Sequence, residues 1–233
     1  MNPAAVAVVI PAHNEQSGIA ACLRSVRRAA RAVPLPVVTV VVADACEDAT
    51  AAIASAQGVI VVPSDAHNVG VARARGVDRA LDLLPGPDTW LAMTDADTLV
   101  PGDWLSHQIT WARHHYDAVL GTIRLIRSAG PRTVAELHDR DYFRTRPVQT
   151  RLPWTHPHVH GANLGVSAAA YARVGGFRPY ASGEDRDLAA RLAATGHRIA
   201  RSGQCVYTSS RLRGRAPGGL ADLLAALASA QAG

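Results

Sequence analysis

The sequence contains no lysine, so all 24 of its basic residues are arginine. The formal net charge of +5 could suggest a nucleic-acid partner, but the arginines are scattered along the chain and aromatic residues make up only 5% of it. A protein that binds single strands needs a continuous basic groove and aromatic side chains on which bases stack. Together with the excess of alanine, the missing lysine indicates a genome-wide bias in amino-acid composition. We therefore expect no nucleic-acid partner.

Cysteine and long apolar runs are also scarce. The three cysteines, Cys22, Cys46 and Cys205, lie far apart and form no Cys-x-x-Cys pair, which excludes a disulfide framework and suits a reducing compartment. No apolar run approaches the roughly 20 residues of a membrane-spanning helix, and the first residues lack the pattern of a signal peptide. We therefore expect a cytoplasmic protein without a transmembrane segment, with the surface of the inner membrane as the alternative location.

What the sequence does contain is a regular alternation of apolar runs and helical patterns. With 233 residues, 48% of them hydrophobic, the chain can bury a sizeable core, and we expect a single domain over 1–233. In the first half we predict strands at 6–10, 37–43, 59–62 and 90–93 and helices at 16–31, 49–56 and 71–84. This alternation is typical of an α/β fold with a mainly parallel sheet and helices on both faces.

After residue 103 the alternation is less regular. We predict helices at 104–115, 132–146, 168–174 and 184–194, strands at 118–126, 197–201 and 204–208, and an irregular segment at 151–163. An amphipathic pattern at 220–230 predicts a tail helix, and we divide the domain into 1–103, 104–216 and 217–233. The default role of the tail helix is packing on the core. Homodimer formation through this helix and contact with a membrane surface are the alternatives.

Polar residues follow each predicted strand of the first half, at 11–15, 44–48, 65–68 and 95–97. Because ligands bind outside the carboxyl ends of parallel strands, we expect these residues to converge. Asp95 and Asp97 end the fourth strand, and two carboxylates on alternate residues suit a hard cation. Aspartates are also ordinary turn residues, so the rest of the site has to decide between the two interpretations.

Six short motifs occur in a recognisable order. They are VVIPAHNE at 8–15, VADACEDAT at 42–50, NVG at 68–70 with AR at 74–75, TDAD at 94–97, GAN at 161–163 with VGGF at 174–177, and ED-x-x-L-x-x-RL at 184–192. Together they resemble the family 2 glycosyltransferases of the GT-A fold. The resemblance implies transfer of a sugar from a nucleotide-diphospho-sugar donor, a UDP- or GDP-sugar, with Mn²⁺ or Mg²⁺. It also implies that 1–103 binds this donor and 104–216 the acceptor.

The resemblance gives roles to the residues at the second and fourth strand ends. Asp97 of the DXD motif matches the direct metal ligand, and Asp95 lies towards the ribose or the water shell of the metal. Asp44 matches the carboxylate that contacts the base, and Arg75 matches the arginine beside it. The family often has two adjacent aspartates at the second strand end, but Ala43 stands in place of the first, which leaves the preferred nucleotide open.

Four residues after the first strand also match the donor side. Pro11 and Ala12 offer backbone contacts to the nucleotide, and Asn14 and Glu15 belong to the same motif. Helix capping is the alternative role of Asn14 and Glu15, because both stand where a helix begins.

A basic strip near the chain end contains Arg211, Arg213 and Arg215 beside several glycines. Such a loop is suited to closing over a diphosphate, so we place Arg211 at the donor, with a solvated loop as the alternative. Some members of the family carry a metal-binding histidine near the chain end, but no histidine follows His197. We therefore expect phosphates and waters to complete the shell of the metal.

Asp185 is the predicted general base. Inverting transfer needs a carboxylate that takes the proton of the acceptor hydroxyl. Asp185 stands with Glu184 at the start of a helix, on the same face as Leu188 and Leu192. The alternative is that these acidic residues only favour the positive end of the helix dipole, an explanation that suits Asp187 best.

The segment that matches the acceptor side contributes four predicted acceptor contacts, His160, Gly161, Asn163 and Glu184. The acceptor itself is unknown, because the motifs do not encode it. His156, His158 and His160 alternate, so an extended segment would place them on one face, where a transition metal could bind. Acceptor contact is the favoured interpretation.

The motifs favour a single, non-processive transfer, since the Gln-x-x-Arg-Trp motif of the processive synthases is absent. A sugar-phosphate nucleotidyltransferase is one alternative, but that class has a glycine-rich, basic loop directly after the first strand. A non-catalytic nucleotide-sugar-binding protein is the other, and the presence of Asp95, Asp97 and Asp185 argues against it.

Overall fold

The strands of the described residues form one sheet of seven. The computed structural model describes residues 2–84, 86–126, 132–148, 154–214 and 219–232. The strands are β1 (Ala5–Ala12), β2 (Val37–Asp44), β3 (Ile60–Ser64), β4 (Thr89–Met93), β5 (Ala118–Ile126), β6 (Leu164–Ser167) and β7 (Ile199–Ser209). The helices are α1 (Ile19–Ala30), α2 (Thr50–Ala56), α3 (Val69–Leu83), α4 (Trp104–Arg113), α5 (Arg132–Tyr142), α6 (Ala168–Arg173), α7 (Glu184–Ala194) and α8 (Leu220–Ala232).

The strands lie in the order β3-β2-β1-β4-β6-β5-β7. β6 runs antiparallel to β4 and β5, whereas the other pairings are parallel. Side chains of β1 alternate between the two faces of the sheet: Val6, Val8 and Ile10 belong to the core under α1 and α4, and Ala7 and Val9 to the core under α3 and α7. The expected mainly parallel sheet with helices on both faces is thereby confirmed.

The chain reverses its winding at β1. Strands β2 and β3 are added on one side of β1, and the chain then returns to pair β4 with its other side. Crossovers that leave in opposite directions open a crevice outside the carboxyl ends of the two central strands. The residues that follow β1 and β4 therefore face one crevice, and the candidate site lies there.

Several predicted elements differ from the structure. We predicted no strand at 164–167, yet β6 lies there, because its pairing with β4 and β5 rather than its own four residues makes it a strand. The predicted strands 197–201 and 204–208 form one strand, β7, whose register against β5 shifts between Leu120 and Thr122. The helix predicted from residue 16 begins at Ile19, and α5 ends at Tyr142 instead of residue 146. Residues 151–153 of the predicted irregular segment lie outside the described residues.

The tail helix α8 packs on α5 and β5. Leu224 is fully buried and forms a small apolar cluster with Leu125 and Val134, which confirms the expected packing on the core. The homodimer through this helix and the division at 103 and 216 stay predictions. Among the described residues, no helix is both long enough and apolar enough to cross a membrane.

Candidate active site

A cleft of about 690 Å³ opens at the carboxyl ends of β1, β2 and β4. Segment 157–162, the start of α7 and the chain that follows β7 complete its walls. Eleven of the predicted site residues line it: Pro11, Ala12, Glu15, Asp44, Asp95, Asp97, His160, Gly161, Glu184, Asp185 and Arg211. Asn14, Arg75 and Asn163 are not among the lining residues. The predicted convergence of the strand ends on one site is confirmed.

The two carboxylates after β4 differ in exposure. The side chain of Asp95 is 37% exposed and that of Asp97 only 16%. Burial raises the pKa of Asp97 to about 6, and the negative charges of Asp95 and Glu15 add to this effect, whereas the positive charge of Arg211 opposes it. At neutral pH Asp97 is therefore an ionised carboxylate in a place that strongly favours a nearby cation.

Arg211 provides such a cation. Its guanidinium binds Glu15 with two parallel hydrogen bonds, Nη1 to Oε2 at 3.0 Å and Nη2 to Oε1 at 2.7 Å. The same Nη2 lies 3.1 Å from Oδ2 of Asp97. Three residues predicted separately to bind donor or metal thus form one group, which we call the loop cluster: Glu15, Asp97 and Arg211. Arg215 of the predicted basic strip lies outside the described residues.

Sequence reasoning missed Arg73, a buried arginine in the wall of the cleft. Nη2 donates to Oδ1 of Asp95 at 2.6 Å, and Nη1 pairs with Oε1 of Glu184. We call these three residues the fixed cluster. A signal was present, because position 73 falls on the same buried face of α3 as Gly70 and Val77, and an arginine in such a stripe requires buried partners.

Asp185 lies in the first turn of α7, as predicted. Its Oδ2 accepts a hydrogen bond from the amide of Gly161 at 2.7 Å, and Oδ1 accepts from the amide of Arg186 at 2.7 Å. Asp187 of the same turn instead forms ion pairs with Arg178 and Arg191. The two aspartates therefore separate into one that faces the cleft and one that secures the helix.

Asp44 organises the loop that follows β3. Oδ1 accepts from the Ser64 hydroxyl at 2.6 Å and the Ala66 amide at 2.7 Å, and Oδ2 accepts from the Asn68 amide at 2.9 Å. Burial alone would raise the pKa of Asp44, but these hydrogen bonds outweigh it and hold the pKa below its usual value. Asp44 is thus a fixed anion, and its contact with a base stays a prediction.

The other donor-side residues lie around this loop. Arg75 is exposed, and its Nη1 donates to the Ser64 hydroxyl at 2.7 Å, one step removed from Asp44. Oδ1 of Asn14 accepts from the amides of Glu47 and Asp48 at 2.8 and 3.3 Å, so this side chain joins the ends of β1 and β2. The direct donor contacts predicted for Arg75 and Asn14 stay predictions.

The backbone is unusual at the first three strand ends. Asn14, Ala45 and His67 have φ angles of 54°, 48° and 47°, in the left-handed region that residues other than glycine rarely adopt. Such conformations persist where the surroundings enforce them and concentrate at ligand sites. The three residues follow β1, β2 and β3, so unusual backbone conformations cluster at this end of the cleft.

The histidine row forms a stack. The ring centroids of His156 and His158 lie 5.7 Å apart and those of His158 and His160 6.1 Å apart, with the rings nearly parallel. Tyr142 stacks on His158 at 3.6 Å. Burial lowers the pKa of each histidine, to about 4 for His160 although the charge of Asp185 opposes this. Within the described ranges, no group of three or more His, Cys, Asp or Glu residues could hold a metal. We call the stacked rings the aromatic wall.

Asn163 points away from the cleft. Its amide Nδ2 donates to the carbonyls of Thr122 and Gln204 at 2.9 and 3.1 Å, and its Oδ1 accepts from the Trp104 indole at 3.0 Å. It joins β5, β7 and α4 in the core. The predicted acceptor contact of Asn163 is therefore corrected to a structural role, a distinction that the Gly-Ala-Asn motif alone cannot make.

Comparisons with known proteins bear on the family and the fold. The model of glycosyl transferase family 2 matches residues 7–175. No curated protein matches the sequence. Among solved structures, the mannosyltransferase PcManGT from Pyrobaculum calidifontis in complex with GDP-Man and Mn²⁺ is similar, with a TM-score of 0.66 and 23% identity over 90% of this chain and 58% of that chain.

Two further structures are similar. TarS 1–349 from S. aureus in complex with UDP-GlcNAc has a TM-score of 0.67 and 16% identity, over 92% of this chain and 61% of that chain. Glucosyl-3-phosphoglycerate synthase from Mycobacterium tuberculosis, in complex with Mn²⁺, UDP-Glc and phosphoglyceric acid, has a TM-score of 0.57 and 19% identity, over 89% and 72%. At these identities the likeness shows the GT-A fold. The chain spans less than two thirds of the length of TarS 1–349 and PcManGT.

Proposed function

The chain belongs to glycosyl transferase family 2, and we propose that it transfers a sugar from a nucleotide-diphospho-sugar donor to an acceptor hydroxyl, once per binding event. The observation that carries the proposal is the arrangement of three carboxylates in one cleft. Asp95 and Asp97 enter it from the end of β4, and Asp185 enters it from the start of α7. Donor activation and acceptor activation thereby have separate groups on the same cavity.

We propose that the donor diphosphate is held with a divalent cation, Mn²⁺ or Mg²⁺. The site fits such an ion, because Asp97 is largely buried and already faces the positive charge of Arg211. Of the described residues, no three acidic, histidine or cysteine side chains surround one point, so Asp97 and Asp95 would be joined by phosphate and water oxygens, as Mg²⁺ and Mn²⁺ sites commonly are. When bound, the ion offsets the negative charge that develops on the leaving diphosphate.

Arg211 supplies the second positive charge on the donor side. Its fork of donors matches phosphate oxygens as well as carboxylates. We propose that Glu15 holds Arg211 before the donor binds, and that Arg211 leaves Asp97 and contacts the diphosphate when it does. The chain after β7 would then close over the donor.

We assign Asp185 as the general base of an inverting transfer. Its two carboxylate oxygens are oriented by the amides of Gly161 and Arg186, which leaves further lone pairs to accept the proton of an acceptor hydroxyl. His160 beside it is a neutral imidazole at pH 7, since burial lowers its pKa to about 4. Retention of configuration in the product would remove this assignment.

We propose UDP- or GDP-sugars as donors. Structures of similar fold hold GDP-Man, UDP-GlcNAc and UDP-Glc. The nucleotide end of the cleft would be the surface around Asp44, where the left-handed backbone residues lie. The acceptor would meet the aromatic wall formed by His158 and His160 on the opposite side.

A thermal-shift panel tests the proposal. The melting temperature of the wild-type protein is measured with UDP-glucose, UDP-GlcNAc and GDP-mannose, each with and without Mn²⁺. We expect at least one donor to raise it, and to raise it further with Mn²⁺, because a ligand that binds only the folded state stabilises that state. Asp97→Asn should abolish the additional rise in melting temperature that depends on Mn²⁺. A wild-type protein that responds to none of the three donors would contradict the proposal.

A further inference from the structure

The fixed cluster joins the two sides of the cleft. Arg73 is only 3% exposed, and its two nitrogen atoms Nη2 and Nη1 bind Asp95 and Glu184. Asp95 follows β4 on the donor side, and Glu184 begins α7 on the acceptor side. One planar guanidinium is therefore the direct link between two elements whose relative position decides how far the donor lies from Asp185.

The surrounding residues hold this guanidinium in place. A Cβ atom at Gly161 would lie only 2.2 to 2.4 Å from Nη2, Cζ and Nη1 of Arg73, so the space for the guanidinium exists because residue 161 has no side chain. The ring of Phe177 lies 5.9 Å from Cζ, within the range of a cation–π contact. The amide of the same Gly161 binds Oδ2 of Asp185. Arg73 thus contacts both chain segments that orient the proposed base.

Stability alone does not explain an arginine at this position. Buried ion pairs contribute little more than well-packed apolar side chains of the same volume, because burying the charges costs free energy. Arg73 Nε is also buried without a hydrogen-bond partner among the described residues, and an unsatisfied buried donor is unfavourable. Residues that reduce the free energy of unfolding in this way commonly occur where a functional site requires them.

We propose that Arg73 is a positioning residue that sets the separation between the donor-side carboxylate Asp95 and the base Asp185. It does so by holding Asp95 directly and Asp185 through Glu184 and Gly161. The effect of this positioning on turnover rests on the proposed function. Lysine cannot replace this arginine, because its single ammonium group lacks the planar fork that reaches two carboxylates in fixed directions.

The experiment uses two variants and one control. Arg73→Lys keeps the positive charge and removes the fork, and Arg73→Gln/Glu184→Gln removes both opposite charges together, so that neither variant leaves a lone buried charge of the pair. Arg79→Gln is the matched control, since Arg79 is an exposed arginine of the same helix. Each protein is assayed for release of nucleoside diphosphate from UDP-glucose, UDP-GlcNAc and GDP-mannose with Mn²⁺ and water as acceptor, for the donor-induced thermal shift, and for hydrogen exchange of single amides.

We expect both Arg73 variants to fold and to keep the donor-induced thermal shift. Turnover should fall about 10- to 100-fold, because a displacement of the order of 1 Å between reacting groups has effects of this size. The amide of Gly161 should exchange faster in both variants, while the amide of Gly165 in β6 and all properties of Arg79→Gln remain those of the wild type.

Three results would overturn the proposal. They are wild-type turnover in both Arg73 variants, unchanged exchange of the Gly161 amide, and failure of both variants to fold, which would assign Arg73 to stability alone. If the wild-type protein releases no nucleoside diphosphate from any of the three donors, the proposed function fails. The exchange of Gly161 then still decides whether Arg73 positions this segment.

Discussion

Two arginine–carboxylate clusters share the cleft, and they differ in what carries the arginine. In the fixed cluster, Arg73 projects from α3, and its side chain is 4% exposed. In the loop cluster, Arg211 stands on the chain after β7, and its side chain is 30% exposed. Each arginine forms ion pairs with two carboxylates, but of the two only Arg211 has a backbone that is not part of a helix or strand.

The difference indicates two uses of the same chemistry. A buried ion pair that joins helices or strands resists dissociation, because separating the two groups leaves uncompensated charges in a medium of low polarity. A pair whose arginine is partly exposed on a loop separates more easily, since water solvates the guanidinium when it moves away. We therefore regard the fixed cluster as the frame of the site and the loop cluster as a group whose carboxylate Asp97 becomes available to a cation.

The largest effect is expected from Asp185→Asn, which leaves both clusters intact. Turnover should fall about 10²- to 10⁴-fold, because the amide cannot act as a general base, while the donor-induced thermal shift is retained. Asp187→Asn is the control from the same turn and should keep its turnover. Equal loss of donor binding in Asp185→Asn and Asp97→Asn would contradict the division of roles between donor and acceptor sides.

Arg211→Gln should distinguish the loop cluster from the fixed one. We expect the donor affinity to fall about 10- to 100-fold, since a hydrogen bond to a charged group contributes about 1.5–3 kcal/mol. Binding of Mn²⁺ alone, measured by titration calorimetry without a donor, should become tighter because Asp97 loses its competing cation. The control is Arg213→Gln, an exposed arginine of the same segment. Weaker Mn²⁺ binding in Arg211→Gln would show that Arg211 supports the metal site rather than competing with it.

The pH dependence of Mn²⁺ binding should show a moderate effect. Asp97 has a pKa raised to about 6, so its carboxylate is ionised above this pH and becomes protonated below it. The affinity of the wild-type protein for Mn²⁺ should therefore fall as the pH is lowered from about 7.5 to about 5, a range that brackets the pKa of Asp97. In Arg211→Gln the midpoint should move to higher pH, because the positive charge of Arg211 lowers the pKa of Asp97. An affinity that does not change over this range would exclude Asp97 as the direct ligand.

The smallest effect is expected from Arg75→Ala, which lies outside both clusters. Arg75 is exposed and binds the Ser64 hydroxyl, and exposed polar contacts contribute about 0–1 kcal/mol. The affinity for UDP-glucose should change less than about fivefold. A larger loss would show that Arg75 turns towards the base when the donor binds, as the sequence motif predicts.

Local patterns account for much of the fold. The apolar runs of β1, β2 and β4 and the helical stripes of α1 and α3 are readable because buried elements need apolar residues at a fixed period. The short strand β6 is not readable, since Leu164–Ser167 becomes a strand only through its two neighbours. For the same reason, one bulged strand, β7, stands where two are predicted.

The sequence by itself determined the order of β1 to β5 along the chain and the positions of Asp95, Asp97 and Asp185 at the ends of regular elements. The motifs lie at the ends of strands and helices, so the residues suited to catalysis and binding could be identified from the sequence. Only the tertiary structure decided which charges meet: Arg73 with Asp95 and Glu184, and Arg211 with a glutamate 196 positions earlier in the chain. It also turned Asn163 into the core. Contacts between distant residues depend on how whole elements pack, and no local pattern contains that information.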